Sequence, residues 1–266
     1  MLKSDLLKIL NDIAPLDTQE EWDNSGMQIN LGHEEVKKVL VALEVNNEVV
    51  AEAKLNGCDF ILTHHPLYFM PMKAVDVESV GGRYTIELLK AGIEVYSSHT
   101  PFDKCPTGTN AYVLEKIGCT NIHPAIEDIA FEGLYEPVCN GDSCSMNVVT
   151  LQDVIDRLKS ELGLPDGSIR YHGNLFAVIR KVGICTGAGS EFMNESWANG
   201  CDVFITGDTK HHEVTDAIEL SKCFIDAGHA GTEECFAKNI AAQLRAKNLD
   251  IEIIESKATF SPYKYI

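Results

Sequence analysis

Along this chain, short apolar runs alternate with segments whose apolar residues recur every three or four positions. Residues 4–13 place Leu6, Ile9, Leu10 and Ile13 on one helical face, with Ser4 as the expected N-cap and Pro15 as a stop. Val39 to Val45 is an apolar run of strand length, as a strand covered on both faces requires. Asn46 and Asn47 can cap a helix that ends near Gly57, and Phe60 to Leu62 forms the next strand. The pattern repeats with a helix over 83–91 closed by Gly92, a strand over 93–97 and a helix over 110–117 closed by Gly118. After a Gly- and Pro-rich stretch, it restarts at 176–185. It then runs through a helix near 191–199, strand 203–206, helix 212–220, strand 223–226, a long helix over 232–246 and strand 251–255. Such alternation predicts an α/β fold with strands buried between helices.

The stretch from about 124 to 176 reads differently. Its one clear element is a helix over 151–162, where Leu151, Ile155, Leu158 and Leu162 form a stripe and Thr150 with Asp153 forms a capping box. The expected organisation is therefore a first lobe over 1–130, a connecting segment over 131–175 and a second lobe over 176–266.

The two lobes look related. Lys38 to Thr63 aligns without a gap on Lys181 to Thr206. Glu48 falls on Glu191, Glu52 on Glu195, and Asn56-Gly57-Cys58-Asp59 on Asn199-Gly200-Cys201-Asp202. The fold class expected is thus two similar α/β/α lobes with mixed sheets, related by internal duplication, with a metal site between them. The metal reading comes from the strand ends, where ligands of open α/β sheets sit. Four strands end in metal-type residues: His64-His65 after 60–63, His99 with Asp103 after 95–98, Asp208 with His211 and His212 after 203–206, and His229 with Glu233 after 224–228. Such a pool of imidazoles and carboxylates exceeds one tetrahedral site but suits two cations, and it favours Zn, Mn, Fe, Co or Ni. Two such ions about 3.5–4 Å apart lower the pKa of a shared water towards neutrality. Adjacent His64 and His65 would point to opposite sides of an extended chain, though a turn before Pro66 could re-aim them. His33, His123 and His172 lie away from the strand ends and read as structural.

Composition narrows the function classes. The chain has 266 residues, 45% of them hydrophobic, and a formal net charge of -18. That acidity makes nucleic acid an unlikely partner, because phosphate binding needs Lys and Arg. It suits attraction of divalent cations. No apolar run reaches the length of a transmembrane helix, so no membrane association is expected, and the amphipathic start lacks a signal peptide's apolar core. Nine cysteines without a Cys-x-x-Cys pair read as reduced thiols in a cytoplasmic protein. Gly187-Ala188-Gly189-Ser190, between a strand and a helix, is a weaker candidate for anion binding through backbone amides.

Several of these landmarks together resemble one family. They are Glu21-Trp22-Asp23-Asn24-Ser25-Gly26, Thr63-His64-His65-Pro66, Ser98-His99-Thr100-Pro101-Phe102-Asp103, Thr206-Gly207-Asp208 to His212, and Gly228-His229 to Glu233. In this order they resemble the Nif-three-like (Ngg-interacting-factor-like) dinuclear metal centre family, many of whose members are called GTP cyclohydrolase type 2 homologues. The resemblance implies metal ligands at His64, His65, Asp103, His229 and Glu233, holding two divalent ions per subunit. It also implies a homohexamer built as a trimer of dimers. The function expected is a metal-dependent hydrolase of a nucleotide or another phosphorylated small molecule. His99 or His212 would act as general acid or base, and Trp22 would line the pocket for a ring. The alternative is a non-enzymatic metal-binding or protein-interaction scaffold. The sequence departs from the family pattern at Pro101-Phe102 and at Phe131 to Tyr135, neither of which touches the implied ligands.

Overall fold

The computed structural model describes residues 1–136, 138–140, 143–145, 148–258 and 262–266. The chain is a mixed α/β protein that divides into two compact units, Met1–Gly108 with Phe236–Phe260, and Thr109–Cys235 with Ser261–Ile266.

The first unit is built on a five-stranded sheet. Its spatial order is Gly26–Ile29, Glu94–Ser97, Phe60–Thr63, Lys38–Ala42 and Glu252–Glu255. The last four run parallel, and Gly26–Ile29 pairs antiparallel at one edge. Side chains on successive residues leave opposite faces. Accordingly Val39, Val41, Phe60 and Leu62 pack with Leu6, Leu10, Phe236, Ile240 and Leu244 on one side. Leu40, Ile61 and Val95 pack with Val49, Ala53 and Leu88 on the other. Burial on both faces explains why these strands are apolar without alternation.

The second unit has a six-stranded sheet in the order Arg170–His172, Cys223–Asp226, Val203–Thr206, Lys181–Ile184, Ala130–Leu134 and Thr120–Ile126. Its three central strands are parallel, and the outer ones are antiparallel. Helices Thr109–Lys116 and Leu151–Leu162 cover one face through Val113, Leu114, Leu151, Val154 and Leu158. Met193, Trp197 and Ala217 cover the other, against Phe204 and Phe224.

The aligned segments pair their strands in the same register, although the first carries one helix, Asn47–Asn56, and the second a 3-10 turn, Ser190–Phe192, followed by helix Met193–Ala198. Val39 pairs with Phe60 in the first unit and Val182 with Val203 in the second, each pair shifted by the same offset as the sequence alignment. Even the small devices recur. The Asp59 carboxylate accepts from the amides of Lys37 and Lys38, and that of Asp202 accepts from those of Arg180 and Lys181. The Cys58 amide donates to Ala53, and the Cys201 amide donates to Ser196.

The compact units do not follow the lobes drawn from sequence. Residues expected to connect the lobes belong to the second unit. Ala130–Leu134 pairs with Lys181–Ile184, and helix Leu151–Leu162 buries its stripe in that unit's core. The chain then returns to the first unit, where Glu252–Glu255 pairs with Lys38–Ala42. Other elements also differ in detail. The first helix starts at Lys3 rather than after Ser4, because Met1 and Lys3 already hydrogen-bond to Val36 and Glu34 and the Lys3 ammonium meets buried Glu94 at 2.8 Å. The long helix expected over 232–246 is two helices, His229–Glu233 and Cys235–Ala246. The run over 176–185 splits into Val178–Ile179 and Lys181–Ile184. Cys58, Cys105, Cys119, Cys185 and Cys201 are buried and in no disulfide. Burial pushes the Cys58 thiol up to about 11 and those of Cys119 and Cys201 up to about 12. No helix among the described residues is long and apolar enough to cross a membrane.

Truncating a side chain in such a covered sheet leaves a cavity. Phe60→Ala, at a fully buried position, should cost about 3–5 kcal/mol in urea unfolding. Leu55→Ala, at a position 87% exposed, should stay within about 0.5 kcal/mol.

Candidate metal centre

In the first unit the site forms where the Phe60–Thr63 strand ends. The amides of His64 and His65 both donate to the single carbonyl of Leu43, at 3.1 and 2.9 Å. The chain therefore turns instead of staying extended, and the two rings lie on the same side with centroids 5.2 Å apart. The turn is pinned from behind, because the hydroxyls of Thr63 and Ser97 both reach the His65 carbonyl. The adjacent strand delivers His99 through the Ser98 amide, which donates to Thr63 at 2.8 Å. Ligand-type atoms of His64, His65 and His99 then all lie within 4.8 Å of one another. His99 N-caps the short helix Thr100–Lys104, whose buried Asp103 turns its carboxylate back to 3.6 Å from His64 Nε2.

Each imidazole is held by its Nδ1 atom. His64 Nδ1 lies 2.9 Å from the carbonyl of Ser98, His65 Nδ1 3.2 Å from a Glu44 carboxylate oxygen, and His99 Nδ1 2.9 Å from Asp23 Oδ1. Carbonyl and carboxylate oxygens only accept, so each Nδ1 carries the proton. In the neutral ring Nε2 then carries the lone pair. His64 is fully buried and packs on Phe236 at 5.0 Å between centroids.

Asp23 ties this cluster together. One carboxylate oxygen accepts from His99 and from the Asn24 amide. The other accepts from the Ser25 hydroxyl and from both the amide and hydroxyl of Thr100. Burial raises the Asp23 carboxyl, but the hydrogen bond and charge of His99, with Thr100 and Ser25, outweigh it. The net result holds the group well below the usual carboxylate range.

The second unit builds its set in the same way. Helix His229–Glu233 begins three residues after the Cys223–Asp226 strand, as Thr100–Lys104 begins three after Glu94–Ser97. The ligand-type residues are offset by one position: His99 and Asp103 are the cap and fourth residues, His229 and Glu233 the first and fifth. His229 Nδ1 meets Asp208 at 2.9 Å, and its Nε2 meets Glu233 at 3.0 Å. Asp226, almost fully buried, accepts from the amide and hydroxyl of Thr209 and from the Gly228 amide. It thereby fixes the two loops that carry Asp208 and His229. Two glycines make room for this pair. A Cβ at Gly187 would stand 2.2 Å from a Glu233 carboxylate oxygen, and one at Gly207 would stand 2.4 Å from the His229 amide.

In the Gly187–Ser190 loop, two of the amides are taken up within the protein. Its Gly187 and Gly189 amides donate to the hydroxyls of Thr232 and Thr206, at 2.9 Å each. His212 lies exposed in the first turn of helix His211–Glu219, and the clusters of metal-type donors among the described residues do not include it. Trp22 stands edge-on to His99 with ring centroids 5.8 Å apart. Glu44 and Asp23, behind the histidines, and the aromatic Phe69 beside Trp22 had no assigned role from sequence, and Asp208, read there as a metal-type residue at a strand end, instead holds His229 Nδ1. Glu44 directly follows the Leu43 carbonyl that makes the turn, a signal visible only once the turn is known.

A carboxyl depressed in the folded state contributes stability that is full above its unfolded pKa of about 3.9 and is lost as pH falls from there through its lower folded-state value. Asp23 is such a group. The protein should lose stability on acidification below about pH 5. Asp23→Asn should start less stable at neutral pH and show a shallower decline over the same range, measured by urea unfolding at each pH.

The sequence profile of the Duf34/NIF3 (NGG1p interacting factor 3) family matches residues 1–262. A GTP cyclohydrolase 1 type 2 homolog of Clostridium perfringens is 31% identical over 272 residues, covering all of both chains. A GTP cyclohydrolase 1 type 2 of Helicobacter pylori is 30% identical, covering 95% of each chain. The crystal structure of a Staphylococcus aureus hypothetical protein superposes with a TM-score of 0.89 at 25% identity, covering 100% of this chain and 99% of that one. The histidine and carboxylate motifs, the α/β fold and the whole-chain match agree: this protein belongs to the Duf34/NIF3 family.

Proposed function

We propose that this protein is a dinuclear metal-dependent hydrolase of a nucleotide or a related phosphorylated small molecule. The proposed ligands are His64, His65, Asp103, His229 and Glu233, holding two divalent transition-metal ions. The observation that carries this reading is the common dress of the histidines. His64, His65 and His229 each have an acceptor on Nδ1, at 2.9, 3.2 and 2.9 Å, which puts the lone pair of the neutral ring on Nε2, the atom through which we take a metal to be held. Histidines with a carboxylate or carbonyl behind them are the usual ligands of such ions. The donor set fits Zn, Mn, Fe, Co or Ni better than Mg or Ca. Bound ions of this kind supply Lewis acidity and a nucleophile at neutral pH.

The protein's own groups do the rest. Asp23 holds the His99 ring with its protonated nitrogen inward, so the outward nitrogen can take or return a proton. Phe236 and the neighbouring core keep water from the buried side of His64. Names of relatives add GTP as one candidate substrate. The reading also carries a homohexamer and a cytoplasmic location, which sedimentation and cell fractionation would test.

The test is metal content and turnover on one untagged preparation. The wild type should bind about two equivalents of transition metal and hydrolyse at least one compound in a nucleotide and phosphate-ester panel. His64→Ala and Glu233→Ala should lose about tenfold or more in metal affinity and activity, while His123→Ala keeps both. A wild type that holds its metal but turns over nothing in the panel would contradict the hydrolase reading.

A further inference from the structure

A small hairpin lies in the chain between the core strand Ala130–Leu134 and the helix Leu151–Leu162. Its strands, Val138–Asn140 and Ser143–Ser145, pair antiparallel and form a two-stranded sheet of their own, apart from the six-stranded sheet of the same unit. In its register Val138 stands opposite Ser145, Cys139 opposite Cys144 and Asn140 opposite Ser143. Among the described strand pairs this is the one place where a cysteine stands opposite a cysteine. Cys223, on a strand of the larger sheet, is registered with Val203.

Register decides what these two residues can do. Residues opposite each other in an antiparallel pair have Cα atoms alternately about 4.5 and about 5.5 Å apart. A disulfide spans Cα separations of about 4.4–6.8 Å, so either kind of pair is within its reach without movement of the strands. Only Gly141 and Asp142 separate Asn140 from Ser143 in the sequence. So short a connection makes the flanking Asn140–Ser143 pair the hydrogen-bonded one, and alternation then makes Cys139–Cys144 a non-hydrogen-bonded pair. Pairs of that kind have the nearer Cβ atoms, which suits the roughly 3.5–4.5 Å that a disulfide asks for.

The other cysteines compete poorly for an oxidant. Cys58, Cys105, Cys119 and Cys201 are buried, and burial pushes their thiols up, away from the reactive thiolate. Cys223, half-buried, is raised in the same way.

We propose that Cys139 and Cys144 are a reversible redox site, a dithiol under reducing conditions and a hairpin disulfide after exposure to a peroxide. One thiol attacks hydrogen peroxide and the O–O bond breaks, giving a sulfenic acid and a water. The second thiol attacks that sulfur, the S–O bond breaks, the S–S bond forms and a second water leaves. Two thiols and one hydrogen peroxide thus become one disulfide and two waters. Each sulfur loses one electron and the peroxide takes both. A small dithiol reverses the reaction by thiol–disulfide exchange. Such a site agrees with thiols that are reduced at rest, because disulfides in a reducing compartment are mostly transient or sensing ones. The hydrolase reading needs neither cysteine, so the two stand or fall separately.

The test treats the full-length protein with an equimolar amount of hydrogen peroxide, with a chelator present so that no metal catalyses the oxidation. The protein is then unfolded, alkylated and read by peptide mass spectrometry. Cys139 and Cys144 should lose alkylation together, in one peptide lighter by two hydrogens, and dithiothreitol should restore both. Cys58 and Cys201 should stay alkylated. Cys119 shares their tryptic peptide, since no Lys or Arg lies between Lys116 and Arg157. Cys119→Ser should therefore leave the link intact, while Cys139→Ser should leave no peptide lighter by two hydrogens. Cys139 and Cys144 both fully alkylated after treatment, a link that disappears in Cys119→Ser, or crosslinks only between chains would each overturn the proposal.

Discussion

The hydrogen bond on the Nδ1 side of each strand-end histidine is the constraint on which the candidate centre depends. An imidazole at the end of a strand can rotate and can carry its proton on either nitrogen. Ser98, Glu44, Asp23 and Asp208 remove both freedoms for His64, His65, His99 and His229. Those acceptors are themselves held. Ser98 is registered by its bond to Thr63, Asp23 by Ser25 and Thr100, and the Asp208 loop by Asp226 through Thr209. The ordering entropy of the ligand-type side chains is thus met during folding and not at the moment of ion binding.

The two units reach this end by the same route and differ where the chemistry begins. Strand register, the aspartate that caps the central pair, and the short helix after the third strand all recur. Within that helix the histidine and carboxylate slip by one residue. In the first unit the histidine is the cap and can be fixed by Asp23, with Asp103 turned to His64. In the second, histidine and glutamate lie one helical turn apart and touch, and Gly187 leaves the space for the glutamate. A shared scaffold with shifted side chains gives two unlike sets of ligand-type residues, one in each unit.

Much of this was legible in the sequence, for physical reasons that can be named. Strands covered on both faces read as unbroken apolar runs, as Phe60 to Leu62 and Val203 to Ile205 do. The Thr150–Asp153 capping box and the Gly57 and Gly92 helix ends follow local rules and stand where those rules put them. The ligand-type residues stood out because His and carboxylate followed strand ends. The edge strand Gly26–Ile29 and the strands Thr120–Ile126 and Ala130–Leu134 were missed, since half-exposed edge strands and register shifts blur the alternation. The unit boundaries were missed because they depend on non-local pairing. Glu252–Glu255 belongs beside Lys38–Ala42, more than two hundred residues away in the chain. Glu44 was invisible for the same kind of reason: inside an apolar run, its charge made sense only once His65 had turned to meet it.

Anomalous X-ray scattering from a crystal of the metal-loaded protein tests the central claim most directly. The account predicts two peaks about 3.5–4 Å apart, each bonded through Nε2 of histidines from the set His64, His65 and His229 and through Asp103 or Glu233. A single peak, peaks elsewhere on the protein, or coordination through Nδ1 with the Ser98, Glu44 and Asp208 bonds broken would contradict it.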